Sequence, residues 1–329
     1  MNDGRRVISF LLNPGFWHPG TKGHILPAIS VTDLNKSYGA LAAVDGVSFE
    51  VRDREVFGIL GPNGAGKTTT LEMIETLREP DSGEILVDGL DVRRDSRKIK
   101  ELIGVQLQTT VFFDNLTVFE TMDLFGSFYA TRLDPETLLE TVGLKDRRDS
   151  MLAELSGGQH KRVSIALALV NDPKIVFLDE PTTGLDPQAR RNIWEIVEGL
   201  RSAEKTVVIT SHYIEEAERL CDRVAVMDQG RIIALGRPGE LIDRYAPGSN
   251  ISFRLTPPLE DGAVAGISGV EAVRGGGGEY TVTTMSPQET LVGIFAAAYQ
   301  GGARADEVTM KRASLEDVFL KITGRRIRS

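Results

Sequence analysis

The chain has 329 residues, 41% hydrophobic and 26% charged, a balance typical of packed soluble domains that excludes disordered, collagen-like and coiled-coil chains. Its 38 Lys and Arg against 47 Asp and Glu give a formal charge of -9, so no diffuse positive field gathers nucleic acid or an anionic membrane. One cysteine, Cys221, excludes an intramolecular disulfide, and His18, His24, His160 and His212 lack the spacing of a zinc site.

The longest stretch free of Asp, Glu, Lys and Arg, Val7 to Thr21, is broken by Pro14 and Pro19 and falls short of the roughly twenty apolar residues a spanning helix needs. Arg5-Arg6 before the apolar Val7 to Leu12 is faintly like a signal peptide, but the run is short and no small-residue cleavage site follows. Residues 1–26 therefore read as a loose extension, or as translation from an early start codon.

From Ile29 the pattern is regular. Ile29 to Leu34, Ala43 to Val51 and Glu55 to Leu60 read as strands. Val56 to Leu60 is apolar throughout, as a strand buried on both faces should be, and leads through a glycine-rich turn into a helix over Thr68 to Leu77. Residues 81–92 resemble hairpins, with Asp81-Ser82-Gly83 and Asp88-Gly89 as turns. Leu116 to Val170 is mainly helical, Pro135 opening one helix. Alternation returns with a strand at Ile175 to Leu178, a helix at Pro187 to Arg201, a strand at Thr206 to Thr210, a helix at Ile214 to Leu220 and a strand at Val224 to Met227. Ala246-Pro247-Gly248-Ser249 then marks a linker. Beyond it, Ser252 to Thr256, Val270 to Arg274, Tyr280 to Thr284 and Glu307 to Lys311 have strand character. Helices near Glu260 to Ala265 and over Pro287 to Tyr299 complete a split βαβ, ferredoxin-like order. The expected units are 1–26, an extension; 27–246, an α/β unit with helices at about 109–170; and 247–329, a small α+β unit.

Gly61-Pro62-Asn63-Gly64-Ala65-Gly66-Lys67-Thr68 fits G-x-x-x-x-G-K-S/T between a buried strand and a helix. Glycines let the backbone wrap closely enough for its N–H groups and the helix N-terminus to point at phosphate oxygens. Lys67 suits the β- and γ-phosphates, Thr68 suits Mg2+, and Thr69 extends the set. A second acidic site, Asp179-Glu180, ends the apolar run from Ile175, where two carboxylates are costly unless a cation is near. Asp179 suits the metal, and Glu180, facing the other way along the strand, suits polarisation of a water. Leu155-Ser156-Gly157-Gly158-Gln159 opens another helix, with Ser156 as N-cap and glycine N–H groups exposed to an anion. Alone, this pentapeptide serves equally well as simple capping.

The ordered set of phosphate loop, Gln108, LSGGQ, Leu178-Asp179-Glu180, Gly184-Leu185-Asp186 and Thr210-Ser211-His212 resembles the nucleotide-binding subunit of ATP-binding cassette transporters over about Ile29 to Arg237. The resemblance implies a P-loop NTPase fold with a RecA-like core, an antiparallel β subdomain and a helical subdomain. It implies that Tyr38 stacks on adenine, that Gln108 rather than Gln106 contacts the metal, and that His212 reaches the γ-phosphate. It further implies that Ser156, Gly157, Gly158 and Gln159 meet ATP held by an opposite protomer, with Asp186 crossing between subunits. The implied cofactors are ATP and Mg2+, and the implied assembly is a head-to-tail homodimer with ATP sandwiched. Two departures stand out: Arg54, where the family often has Gly, and Lys161, where Gln commonly follows. They imply tuning of a turn and of helix packing. Ser314 to Leu320 with Thr323-Gly324 is similar to the C-terminal signature of ABC-2 type, drug-export-like ATPases, although these residues alone make an ordinary amphipathic helix. The expected protein is thus an exporter ATPase at the cytoplasmic face of the membrane, attached through an ABC-2 type permease and binding no nucleic acid. An importer ATPase and a soluble cassette protein outside transport are the rivals.

Overall fold

The structure, a computed structural model, describes residues 26–108, 113, 115–259 and 261–324; the expected extension falls almost wholly outside them. Val56–Leu60 forms β3, and all five residues are buried. Period-two alternation explains this: Val56 and Leu60 enter one core, while Phe57 and Ile59 enter another on the opposite face. The strand β7, Ile175–Asp179, repeats the arrangement, with Val176 and Leu178 on the first side and Ile175 and Phe177 on the second.

These strands lie in a six-stranded sheet of order β10-β9-β3-β8-β7-β6, built with β6 (Ile103–Gln106), β8 (Thr206–Ser211), β9 (Arg223–Asp228) and β10 (Arg231–Gly236). Pairing is parallel from β9 through β6, and β10 is antiparallel. One face is covered by a four-stranded antiparallel sheet of β1 (Ile29–Tyr38), β2 (Leu41–Val51), β4 (Ser82–Val87) and β5 (Leu90–Asp91), together with α1 (Lys67–Ile74). The short α2 (Ser96–Leu102) leads into β6. Helix α1 ends earlier than its apolar spacing suggests because Thr76 turns left-handed (φ 62°) and the Leu77 and Arg78 N–H groups donate back to the Glu72 carbonyl.

The opposite face is covered by helices. A Thr117–Glu120 capping box starts α3 (Val118–Gly126), and Asp134 with Pro135 at the first turn starts α4 (Pro135–Thr141). The others are α5 (Gly157–Ala168), α6 (Pro187–Ser202), α7 (Ile214–Leu220) and α8 (Pro238–Tyr245). Arg54, at the position where glycine was expected, adopts the left-handed conformation glycine favours (φ 60°). Its N–H donates to Thr206 Oγ1 at 2.9 Å and its guanidinium to Glu204 at 2.8 Å.

The third sheet, β12-β13-β11-β14, is antiparallel throughout and contains β11 (Ser249–Thr256), β12 (Val270–Gly276), β13 (Glu279–Thr284) and β14 (Arg304–Arg312). With α9 (Asp261–Ala265) and α10 (Pro287–Gln300) it has the expected split βαβ order and its own core of Ile251, Phe253, Leu255, Tyr280, Val282 and Ile294. The chain then returns. Helix α11 (Leu315–Thr323) buries Leu315, Val318 and Phe319 in the helix-covered core beside α8, and Leu315 N–H donates to Glu218 at 2.6 Å. No helix among the described residues is long and apolar enough to cross a membrane.

Candidate active site

The loop from Gly61 to Gly66 joins β3 to α1. A Cβ on Gly61 would sit 2.2 Å from the Met227 carbonyl oxygen, and one on Gly66 (φ 102°) would sit 2.3 Å from that of Ala43, so neither position admits a side chain. The N-cap residue of α1, Gly66, offers no side chain to cap it, which leaves the first N–H groups of the helix available to an anion. Ala65 is buried beneath the loop, and Asn63 and Gly64 form its exposed tip beside half-buried Pro62. Lys67, 4% exposed, donates to the carbonyls of Gly61 at 2.8 Å and Pro62 at 3.1 Å, and its ammonium lies 3.2 Å from Glu180 Oε1.

Strand β7 delivers Asp179 beside the loop. Thr68 Oγ1 donates to its carboxylate at 3.1 Å, and Thr210 on β8 donates from the other side. Glu180 is not set by strand alternation, as its sequence position suggested: β7 has ended and Glu180 is left-handed (φ 45°). Its N–H donates to Thr210 Oγ1 at 2.9 Å and to the Thr210 carbonyl at 3.2 Å, which fixes this turn. The turned side chain receives a hydrogen bond from Thr183 Oγ1 at 3.0 Å and lies 3.3 Å from His212 Nδ1.

Electrostatics separate the two carboxyls. Burial raises Asp179 above its ordinary value, with a smaller push from Glu180, and the hydroxyls of Thr210 and Thr68 and the Lys67 charge offset this only in part. Burial also pushes Glu180 upward, but Lys67, His212 and Thr183 together outweigh it and hold the carboxyl below its ordinary value. Glu180 is therefore ionised at neutral pH, whereas Asp179 is a buried oxygen donor that gains from a cation. Its neighbour Thr68 supplies a second hard oxygen, the donor type Mg2+ prefers.

The remaining expected residues lie around this centre. Gln106 is buried at the end of β6 with Oε1 unpartnered among the described residues, whereas Gln108 lies beyond the strand and is exposed. Lys161 on α5 reaches toward the Gln108 carbonyl at 3.5 Å; burial lowers its ammonium despite attraction from Asp179, Glu180 and Glu216. Half-buried Thr69 lies on α1. Tyr38, 42% exposed, lies at the end of β1, with Arg78 at 5.3 Å and Lys36 at 6.0 Å from its ring centroid. Ser156 and Gln159 form a capping box at the start of α5, Ser156 N–H donating to Gln159 Oε1 at 2.8 Å. Gly157 faces open space, and Gly158 packs so closely on α6 that a Cβ there would lie 2.9 Å from that of Ala189. Asp186 caps α6 through the N–H groups of Gln188 and Ala189.

Sequence reasoning assigned no role to four residues around this site. Thr210 and Thr183 orient Asp179 and Glu180; a hydroxyl in an apolar strand was the available signal for the first. Glu75, at the end of α1, is 2% exposed, and burial, followed by the charges of Asp179 and Glu72, raises its pKa to about 8. Glu216 on α7 is 1% exposed, and among the described residues its oxygens make no well-formed hydrogen bond. Burial raises its pKa, while Ser211, Thr182, Trp194 and Arg190 offset this in part.

The ABC transporter family profile matches residues 44–183. The chain is 38% identical to Nod factor export ATP-binding protein I of Ralstonia nicotianae over 328 residues, covering 94% of this chain and 98% of that protein. It is 41% identical to the protein of the same name from Paraburkholderia xenovorans, covering 91% of this chain and 97% of that one. Among solved structures, cbiO1 from Clostridium perfringens, part of the ABC transporter complex cbiONQ, is similar with a TM-score of 0.60 and 32% identity, covering 66% of this chain and 91% of that one. A dimeric post-hydrolysis state of the ATP-binding cassette MJ0796, bound to ADP and Pi, is similar with a TM-score of 0.59 and 27% identity, covering 64% of this chain and 98% of that one.

Proposed function

Because this chain belongs to the ABC transporter family, as an ATPase whose hydrolysis is coupled to transport, we propose that it drives an exporter as a homodimer bound to an ABC-2 type membrane permease. The observation that carries the chemistry is the convergence of Lys67, Thr68, Asp179, Glu180 and His212 at the phosphate loop. In this reading the N–H groups of Gly61 to Thr69 and the Lys67 ammonium hold the β- and γ-phosphates, and Tyr38 stacks on adenine. Thr68, Asp179 and Gln108 would hold Mg2+, which would neutralise developing phosphate charge. Ionised Glu180 takes the proton of the attacking water, and His212 contacts the γ-phosphate. Ser156, Gly157, Gly158 and Gln159, with Asp186, face the nucleotide of the second copy. The open space at Gly157 and the uncapped start of α1 support such a shared site. Residues 247–329 serve as an accessory, regulatory unit.

The names of the curated relatives support export, and the Ser314 to Leu320 signature supports the drug- or antibiotic-type ABC-2 subtype. The site is tested by Glu180→Gln, which should bind ATP like the wild type and hydrolyse it at least about 100-fold more slowly. A wild-type rate removes Glu180 from the role of base. The transport partner is tested by purification from membranes: a co-purifying permease supports the assembly, and a ribosome-bound fraction without one contradicts it.

A further inference from the structure

Arg190 and Tyr213 belong to none of the sequence motifs, yet they join two of them. Arg190 lies in the first turn of α6, and its N–H donates to the Asp186 carbonyl at 3.0 Å. The preceding residue, Ala189, is the one against which Gly158 packs, so this turn meets both Asp186 and the LSGGQ segment. The Arg190 guanidinium carbon stands 4.3 Å from the centroid of the Tyr213 ring, a cation over the negative face of an aromatic. Arg190 Nε is buried without a hydrogen-bond partner among the described residues, and Glu216 interacts with the guanidinium electrostatically. The ring and Glu216 are thus set against it. Tyr213 in turn packs on His212, with ring centroids 4.2 Å apart and planes at 39°, and His212 Nδ1 is 3.3 Å from Glu180 Oε2.

We propose that Arg190 and Tyr213 are positioning residues that couple the start of α6, where Asp186 and the LSGGQ segment meet, to the orientation of His212 beside Glu180. Neither touches the reacting atoms. A displacement of the α6 N-terminus, the place where a second copy would press, carries the guanidinium with it, and the guanidinium holds the ring on which the histidine rests. The inference rests on the roles given above to Glu180 and His212, and it adds the device by which one face of the subunit informs the other.

The test is steady-state ATP hydrolysis by the full chain carrying Arg190→Met, Tyr213→Leu or both, with thermal unfolding as the control for folding. Each single variant should lower kcat about tenfold and change KM for ATP by less than about twofold, because the ATP-holding groups are untouched. The double variant should fall no further than the weaker single, whereas independent effects would multiply to about 100-fold. Arg190→Lys keeps the charge and Tyr213→Phe keeps the ring; each should retain several-fold more activity than its disruptive counterpart, and each serves where that counterpart does not fold. A single disruptive variant with wild-type kcat, effects that multiply, or conservative variants as slow as the disruptive ones overturn the coupling. Glu180→Gln is assayed in parallel: a wild-type rate there overturns the base on which the inference rests, whereas a slow Glu180→Gln with a fast Arg190→Met overturns the coupling alone.

Discussion

The six-stranded sheet and the C-terminal sheet handle charge in opposite ways. Around the central strands of the first, Lys67, Glu75, Asp179, Glu180, His212 and Glu216 are all buried, and several hold shifted pKa values. The second buries Ile251, Phe253, Leu255 and Val282 and leaves its ions at the surface, where Arg254 pairs with Glu279 at 2.9 Å and Glu307 at 2.8 Å. Buried ions cost several kcal/mol each unless paired, so a fold concentrates them where their chemistry is used. The contrast fits the first sheet as the reacting unit and the second as the accessory, regulatory unit proposed above.

Substitutions should grade accordingly. Lys67→Met deletes the cation beside Glu180 and the phosphate-facing ammonium together. ATP hydrolysis should fall at least about 100-fold, and unfolding in denaturant should show a loss of about 3 kcal/mol as the Glu180 carboxylate is left without its cation. Wild-type stability in this variant would mean that His212 and Thr183 suffice for Glu180.

Glu75→Gln should act in the other direction and with pH. A carboxyl with pKa about 8 when folded, against 4.5 as its ordinary value, binds more protons in the native than in the unfolded chain between those limits. The wild type therefore loses stability relative to Glu75→Gln as pH rises from 4.5 to about 8, by up to about 1.4 kcal/mol per pH unit. Melting temperatures of the two proteins at pH 5 and pH 8, both approximate choices within that window, should diverge; a constant gap would show that Glu75 is solvated. The smallest effect belongs to the other sheet. Arg254→Gln breaks two exposed ion pairs and should change stability by less than about 1 kcal/mol, with ATP hydrolysis unaltered.

Much of this was legible in the sequence because burial on both faces writes continuous apolar runs, as in Val56 to Leu60 and Ile175 to Leu178, and because phosphate binding restricts residue type at Gly61, Gly66 and Lys67. Helix α2 escaped because only Ile99 of its residues is buried, leaving no periodicity. The C-terminal strand and helix order was readable, but the amphipathic face of α11 does not say which core receives Leu315, Val318 and Phe319. The left-handed turn at Glu180 and the contact of Arg190 with Tyr213 were invisible for a common reason. Both are tertiary: the first is imposed by Thr210 on a neighbouring strand, and the second joins helix α6 to the residue just before α7.

We propose that ATP clamps two copies of the chain and that hydrolysis at Glu180 releases them. The molar mass of Glu180→Gln in solution, measured by light scattering with and without Mg-ATP, tests it directly. The expected result is a monomer without nucleotide and a mass about twice as large with it, the increase being lost in Lys67→Met. A mass unchanged by Mg-ATP, in a protein that still binds the nucleotide, would contradict it.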